Sequence, residues 1–248
     1  MAGYMKMCTM TLIPIDKGLR VAFNRDESRK RPIAFPPRLV LCGDRSVLMP
    51  IDARSQGTWI GVNDAGLVMG ILNRNIGLTR GSRDPNVPSR GLIIPSLLVR
   101  ATLAEAHAAA LELRAKRYAP FRLVIADRNR VVEIVSEPSD VTVCEYGVSS
   151  PLLFTSSGLG DELVEPPRRA LFENWFTTPE NWPSEQDAFH RHSWPNYLHL
   201  SVCMRREEAC TVSFTTIELE RELRVMTYTP GPPDEAAEAT ILNLLASR

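Results

Sequence analysis

Cys8 directly follows Met7 and opens the run Cys8-Thr9-Met10-Thr11-Leu12-Ile13. Asn24-Arg25-Asp26-Glu27 comes at close range behind it. If translation starts at Met7, or if residues 1–7 are removed, the thiol and an α-amino group share one residue. Methionine ahead of a residue as small as cysteine is readily trimmed. A thiol titrates near about 8.5 and an α-amine near about 7.7–8.0, so the amine is a usable base and the thiolate a competent nucleophile. The pair is useless when chain precedes Cys8. The competing reading is a small buried residue in a first strand, where free cysteines commonly lie.

The Asn24–Glu27 cluster also has two readings. It is a turn whose carboxylates pair with nearby arginines, or a polar wall of a pocket that holds Cys8. On a strand, Arg25 and Asp26 face opposite sides, so only one can point at Cys8, and Glu27 shares the side of Arg25. Trp59 reads first as core packing. Asn73 ends an apolar run and either caps a loop or donates to a site. His190 and His192 diverge on a helix, so a shared metal is not expected. His107 falls on a leucine-bearing helix face. Arg168-Arg169 and Arg205-Arg206 are local basic pairs with two readings, a site for a carboxylate or phosphate or, more commonly, a solvated face. Neither a GxSxG nor a P-loop motif is present.

Composition excludes several classes. The 248 residues suit one large domain, with 44% hydrophobic and 23% charged residues. Formal net charge is zero, so no overall field favours nucleic acid or an anionic membrane. Five cysteines, an odd number without a CxxC pair, argue against a disulfide framework or a zinc knuckle. No apolar run approaches the roughly 20 residues of a membrane span, and the N-terminus lacks signal-peptide form. The expectation is a reduced, cytoplasmic protein without stable membrane insertion, requiring neither metal nor organic cofactor.

The elements that must position these residues are mostly strands. Cys8–Ile15 and Leu19–Phe23 form a hairpin across Asp16-Lys17-Gly18. A polar, arginine-rich segment follows from Asn24 to Arg31. Short strands are expected at 38–42, 47–49, 57–62 and 67–72, the last two joined by Asn63-Asp64-Ala65-Gly66. The middle reads as helical at 90–100, where Pro95 bends or breaks the helix, and along Leu103, His107 and Leu111 with Thr102 as cap. Strands return at 121–126, 131–135, 141–146 and 152–155. Helices fit 167–176 and 184–192, strands 211–219 and 223–229, and a final helix 234–245. Strands at both ends enclosing a helical middle favour two antiparallel sheets with helices outside.

The order Cys8, Asn24-Arg25-Asp26-Glu27, Arg31-Pro32, Gly57-Thr58-Trp59-Ile60-Gly61, Gly66 and Leu72-Asn73 resembles the NRDE, or transport and Golgi organization protein two, family. The segments 164–171 and 211–219 extend the likeness more weakly. The stretch from Gly61 to Asn73 is similar to a hairpin of the choloylglycine hydrolase and penicillin V acylase type of N-terminal-nucleophile hydrolases. The resemblance implies an α+β fold, a four-layer αββα sandwich of two mostly antiparallel sheets covered by helices. It implies a domain over 8–248 preceded by an extension, 1–7, that is absent or removed.

By position, the resemblance makes Cys8 the nucleophile, Arg25 and Asp26 its orienting pair, and Asn73 an oxyanion donor. Asn24, Glu27, Trp59 and Ser156 would line the substrate site. This sequence departs from the hydrolases in two ways. Its arginine and aspartate are adjacent instead of two residues apart, and Phe154-Thr155-Ser156-Ser157 offers a hydroxyl where they use a second asparagine. The implied reaction is cleavage of a linear amide, or acyl transfer, through a Cys8 thioester. The same family likeness implies a non-enzymatic alternative: binding or trafficking of haem, or of a lipid-like or acyl-CoA-like hydrophobic anion, with links to Golgi organisation.

Overall fold

The computed structural model describes residues 7–75, 86–113 and 117–247. Two antiparallel sheets stack face to face. β1 (Met7–Ile15) and β2 (Gly18–Ser28) belong to a six-stranded sheet with β10 (Leu152–Ser156), β11 (Ala209–Glu220), β12 (Leu223–Pro230) and β13 (Thr240–Leu245). Its order is β10-β1-β2-β11-β12-β13. The second sheet runs in sequence order through β3 (Phe35–Cys42), β4 (Arg45–Ile51), β5 (Ile60–Asn63), β6 (Val68–Asn73), β7 (Phe121–Ala126), β8 (Arg130–Ser136) and β9 (Val141–Gly147).

Helices cover both outer faces. α1 (Ile93–Leu97) and α2 (Leu103–Glu112) lie on the seven-stranded sheet, and α3 (Asp161–Glu173) and α4 (Trp182–Arg191) on the other. The fold is therefore the αββα sandwich. Met10, Leu12, Val21, Phe23, Val62, Val68, Leu72 and Val124 fill the space between the sheets. Met69, Ile71, Leu97, Ala106 and Leu123 pack under α1 and α2. This split follows strand alternation, in which neighbours in sequence face opposite sides. A Cβ on Gly70 would meet Met10 Sδ at 2.4 Å; glycine there lets the two sheets close. Among the described residues no helix is long and apolar enough to cross a membrane.

Several expectations hold locally. The 63–66 turn closes with Gly66 at φ 91°, where glycine avoids the left-handed penalty. Thr102 caps α2 in a complete capping box with Glu105. Around Pro95 the expected helix shortens to a 3₁₀ turn, Arg90–Leu92, and the five-residue α1. Pro95 sits in the first turn of α1, where its missing donor is tolerated.

Three expectations are corrected. β2 does not end at Phe23; it continues to Ser28 and carries the whole Asn24–Glu27 cluster. It is an inner strand, paired with β1 on one side and β11 on the other, and that double pairing outweighs its polar composition. α3 begins at Asp161, not Pro167, and contains Pro166 and Pro167. The expected final helix over 234–245 is absent. Thr240–Leu245 is instead edge strand β13 on β12. Leu242 and Leu244 are more buried than Ile241, Asn243 and Leu245 between and beside them, a two-residue period that no helix would give. Asp234, expected to open that helix, is held by Arg205 at 2.7 and 2.8 Å.

Candidate active site

β1 places Cys8 opposite Arg25 on β2 and Ser156 on β10. Directly paired residues share a face, so Cys8, Arg25 and Ser156 all point between the sheets, as Glu27 does two residues beyond Arg25. Cys8 is 8% exposed. The Ser156 hydroxyl is buried, without a hydrogen-bond partner among the described residues. It is thus an available donor on the strand beside the thiol.

Arg25 is held from three directions. Its Nη2 meets Asp52 Oδ2 at 2.5 Å and Glu27 Oε2 at 3.5 Å. Its guanidinium lies 4.1 Å from the Trp59 ring centroid, a cation–π geometry. Arg31 completes the cluster, donating to Asp52 Oδ1 at 2.6 Å and Oδ2 at 2.9 Å. Asp52 also accepts from the Ser55 amide and hydroxyl. Burial opposes ionisation of Asp52, but Arg31 and Ser55 hold its carboxyl well below the usual range. Trp59 is therefore a stacking surface for Arg25 as well as core.

Asn24 and Asp26 lie on the other face of β2, under the helices. The Asn24 amide donates to the carbonyls of His190 and Val202 at 2.8 and 3.0 Å, so it ties α4 and the following loop to β2. Asp26 is buried, and its Oδ1 accepts from Thr211 Oγ1 at 2.6 Å. Asp26 Oδ2 has no hydrogen-bond partner among the described residues. Burial raises its pKa to about 6, against the pull of Arg168 and the Thr211 hydrogen bond. Asp26 pairs with Met7 across the ladder, directly opposite the residue that precedes Cys8.

With Met7 attached, the Cys8 thiol is pushed up to about 12 by burial first and by Asp26 second. The Asp26 backbone amide and Arg25 pull the other way. In this form it is a protonated thiol at neutral pH.

Asn73 ends β6 and pairs with Phe121. Alternation puts its side chain on the face of Met69 and Ile71, while Leu72 faces the other sheet. The segment beyond it, Arg74-Asn75, turns toward the end of β10: Asn75 N donates to Asp161 Oδ2 at 3.1 Å.

Arg168 is the residue most underrated by sequence. It is fully buried, not solvated. From α3 its Nη1 donates to Thr9 Oγ1 and Thr155 Oγ1, both at 2.8 Å, and its Nε and Nη2 donate to the carbonyls of Leu200 and Ser201. It braces the strands that flank Cys8 and is the foremost counter-charge of Asp26. Burial lowers its own pKa to about 10. Its signal in the sequence is helical spacing: Asp161, Val164, Arg168 and Phe172 form the buried face of α3. Arg169, by contrast, is exposed and pairs with Glu165 at 2.7 Å. Asp52 and Thr211 carried no signal of their own, since each acts on a residue distant in sequence.

His190 is buried, with its Nε2 2.8 Å from Thr11 Oγ1. Burial lowers its pKa to about 3, so it is a neutral packing residue.

Comparisons with known proteins agree with this architecture. The family model described as Transport and Golgi organisation 2 matches residues 7–172. Among curated proteins no sequence matches significantly. Similar solved structures include the N-acylethanolamine-hydrolyzing acid amidase ortholog of Caenorhabditis elegans, with TM-score 0.60 at 14% identity over 85% of this chain and 92% of that one. Two variants of conjugated bile acid hydrolase from Clostridium perfringens superpose with TM-scores of 0.55 and 0.52. Their identities are 14% and 13%; they cover 95% of this chain in both cases, and 92% and 96% of their own. At such identities the likeness shows the shared fold alone. The family match spans well over half of the sequence, and the chain belongs to the Transport and Golgi organisation 2 family.

Proposed function

We propose that the protein, when its chain begins at Cys8, hydrolyses or transfers the acyl group of a linear amide through a Cys8 thioester. The observation that supports this reading is the buried Asp26, directly opposite Met7 in the ladder, with an Oδ2 that has no hydrogen-bond partner among the described residues. Removing Met7 would replace the Met7–Cys8 peptide with an α-amine, and the carboxylate would be placed to hold it. The amine would then accept the thiol proton and later return it to the leaving amine. Arg25, on the Cys8 face, would favour the thiolate. The Ser156 hydroxyl and a main-chain N–H at the Asn73 end of β6 would take the developing negative charge.

Substrate class follows from the fold relatives only as a starting point. Their names specify an N-acylethanolamine and a conjugated bile acid, both acyl amides. These two classes are the first probes. Asp52 and Glu27 already pair with Arg25, so its role is electrostatic and not that of a substrate-carboxylate contact. In the Cys8→Ser variant turnover of such amides is expected to vanish while ligand affinity stays intact. Unchanged turnover would refute the nucleophile.

One observation favours the second reading, a carrier of haem or of a lipid-like anion. With Met7 attached, the thiol is buried and pushed up to about 12, so that form is chemically quiet. The carrier reading predicts ligand affinity that is equal with and without residues 1–7 and indifferent to Cys8→Ser.

A further inference from the structure

Asp161, the first residue of α3, joins the two sheets beside Cys8. It is 2% exposed. Its Oδ1 accepts from Ser157 N at 2.7 Å. Its Oδ2 accepts from Asn75 N at 3.1 Å and from Arg74 Nη1 at 3.0 Å. Its own amide donates to the Asn75 carbonyl at 3.1 Å. Ser157 directly follows Ser156 at the end of β10, in the six-stranded sheet. Arg74 and Asn75 directly follow Asn73 at the end of β6, in the seven-stranded sheet. One carboxylate therefore fixes two strand ends that are remote in sequence. Arg74 extends the tie to Glu137 at 2.9 Å, just past β8.

We propose that Asp161 is a positioning residue for acyl transfer: it sets the separation between the Ser156 hydroxyl and the Asn73 end of β6. The proposal rests on the Cys8 reading above. In the step concerned, Cys8 Sγ bonds to the carbonyl carbon and the C=O π pair moves to oxygen. The thiol proton passes to the α-amine. The oxyanion then collapses and expels the leaving group. Only the oxyanion needs donors from both strand ends at once, and a small displacement of either weakens that stabilisation. The hydrogen bonds of Asp161 run to Ser157, Arg74 and Asn75, so it acts through the segments that follow the two strand ends.

Two reactions of the same sulfur isolate this role. Alkylation by iodoacetamide displaces iodide and passes through no oxyanion. Acylation by p-nitrophenyl acetate does, and releases p-nitrophenolate. Both rates are measured on protein beginning at Cys8, on its Asp161→Ala and Asp161→Asn variants, and on Cys8→Ser as the background. Asp161→Asn keeps one acceptor for Ser157 N and loses the second, so it serves if the alanine variant does not fold. The expected result is acylation slowed about tenfold or more, below the 10²–10³ of deleting a donor outright, with alkylation within about twofold. The asparagine variant should fall between wild type and alanine. Equal loss of both rates, or loss of neither, would overturn the positioning role. Wild-type protein that is alkylated at Cys8 but never acylated would instead overturn the Cys8 acyl-transfer reading, and the role with it.

Discussion

Cys8 and Arg25 are direct cross-strand partners in the β1–β2 ladder, with side chains on one face. The arginine reaches past the cysteine into a buried cluster with Asp52, Glu27, Arg31 and Trp59. Arg25→Met would remove one of the cations that face Asp52 and Glu27, and the charge stacked on Trp59. Breaking a buried pair from one side costs about 3–5 kcal/mol. Urea unfolding should show a loss of that order, and a smaller one for Arg25→Lys. The exposed Arg169→Met should stay within about 0.5 kcal/mol. Equal losses for Arg25→Met and Arg169→Met would mean the cluster is energetically idle.

Asp26 is retained at a cost. Its folded pKa of about 6 exceeds the ordinary aspartate value of 3.8, so the folded state binds the proton more tightly. Its penalty is absent below about pH 4, grows as pH rises through 6, and is complete above that. Asp26→Asn should therefore stabilise the protein at pH 7.5, by an amount on the order of 2 kcal/mol, while abolishing turnover. Thermal melts beside activity assays at that pH check both. A destabilised Asn variant would show that the carboxylate is structurally required.

Arg168 keeps Asp26 ionised, being its foremost counter-charge. In protein beginning at Cys8, turnover should rise with pH as Asp26 ionises. Arg168→Met should move that rise upward, and Arg168→Lys should restore it in part. A pH–rate profile with the same midpoint in all three would remove Arg168 from the electrostatics of the site.

His190 acts in the opposite sense. Its folded pKa is lowered to about 3 from 6.5, so the unfolded state binds the proton more tightly. The stability it confers is complete above about pH 6.5 and is lost as pH falls toward 3. His190→Gln can still bond Thr11 but cannot charge. Between pH 6.5 and 4 its melting temperature should fall less steeply than that of wild type, and taking the difference cancels the Asp26 contribution. Parallel curves would contradict the assignment.

The two ends of the chain show what sequence does and does not reveal. The β1–β2 hairpin and the turn at Gly66 were legible because apolar alternation and glycine coincide there. The extension of β2 through Asn24–Glu27 was not, since polar residues mask a strand whose partners, β1 and β11, satisfy it from both sides. The opposite facing of Arg25 and Asp26 did follow from alternation once a strand was granted. Arg168 was hidden because its companions Thr9, Thr155 and Ser201 lie far off in sequence. The segment over 234–245 misled because alanine and glutamate favour helix, whereas the free edge of β12 offered pairing to Thr240–Leu245. Alanine scanning checks that correction. Leu244→Ala should cost about 2–3 kcal/mol, and the exposed Ile241→Ala within about 0.5.

The central claim is that a free amine on Cys8 makes its thiol a nucleophile. The most direct test is intact mass after brief exposure to p-nitrophenyl acetate, for protein beginning at Cys8 and for protein retaining residues 1–7. The account predicts one acetyl group on Cys8 in the first form and none in the second, where the thiol is pushed up to about 12. Equal acetylation of both forms, or of neither, would contradict it.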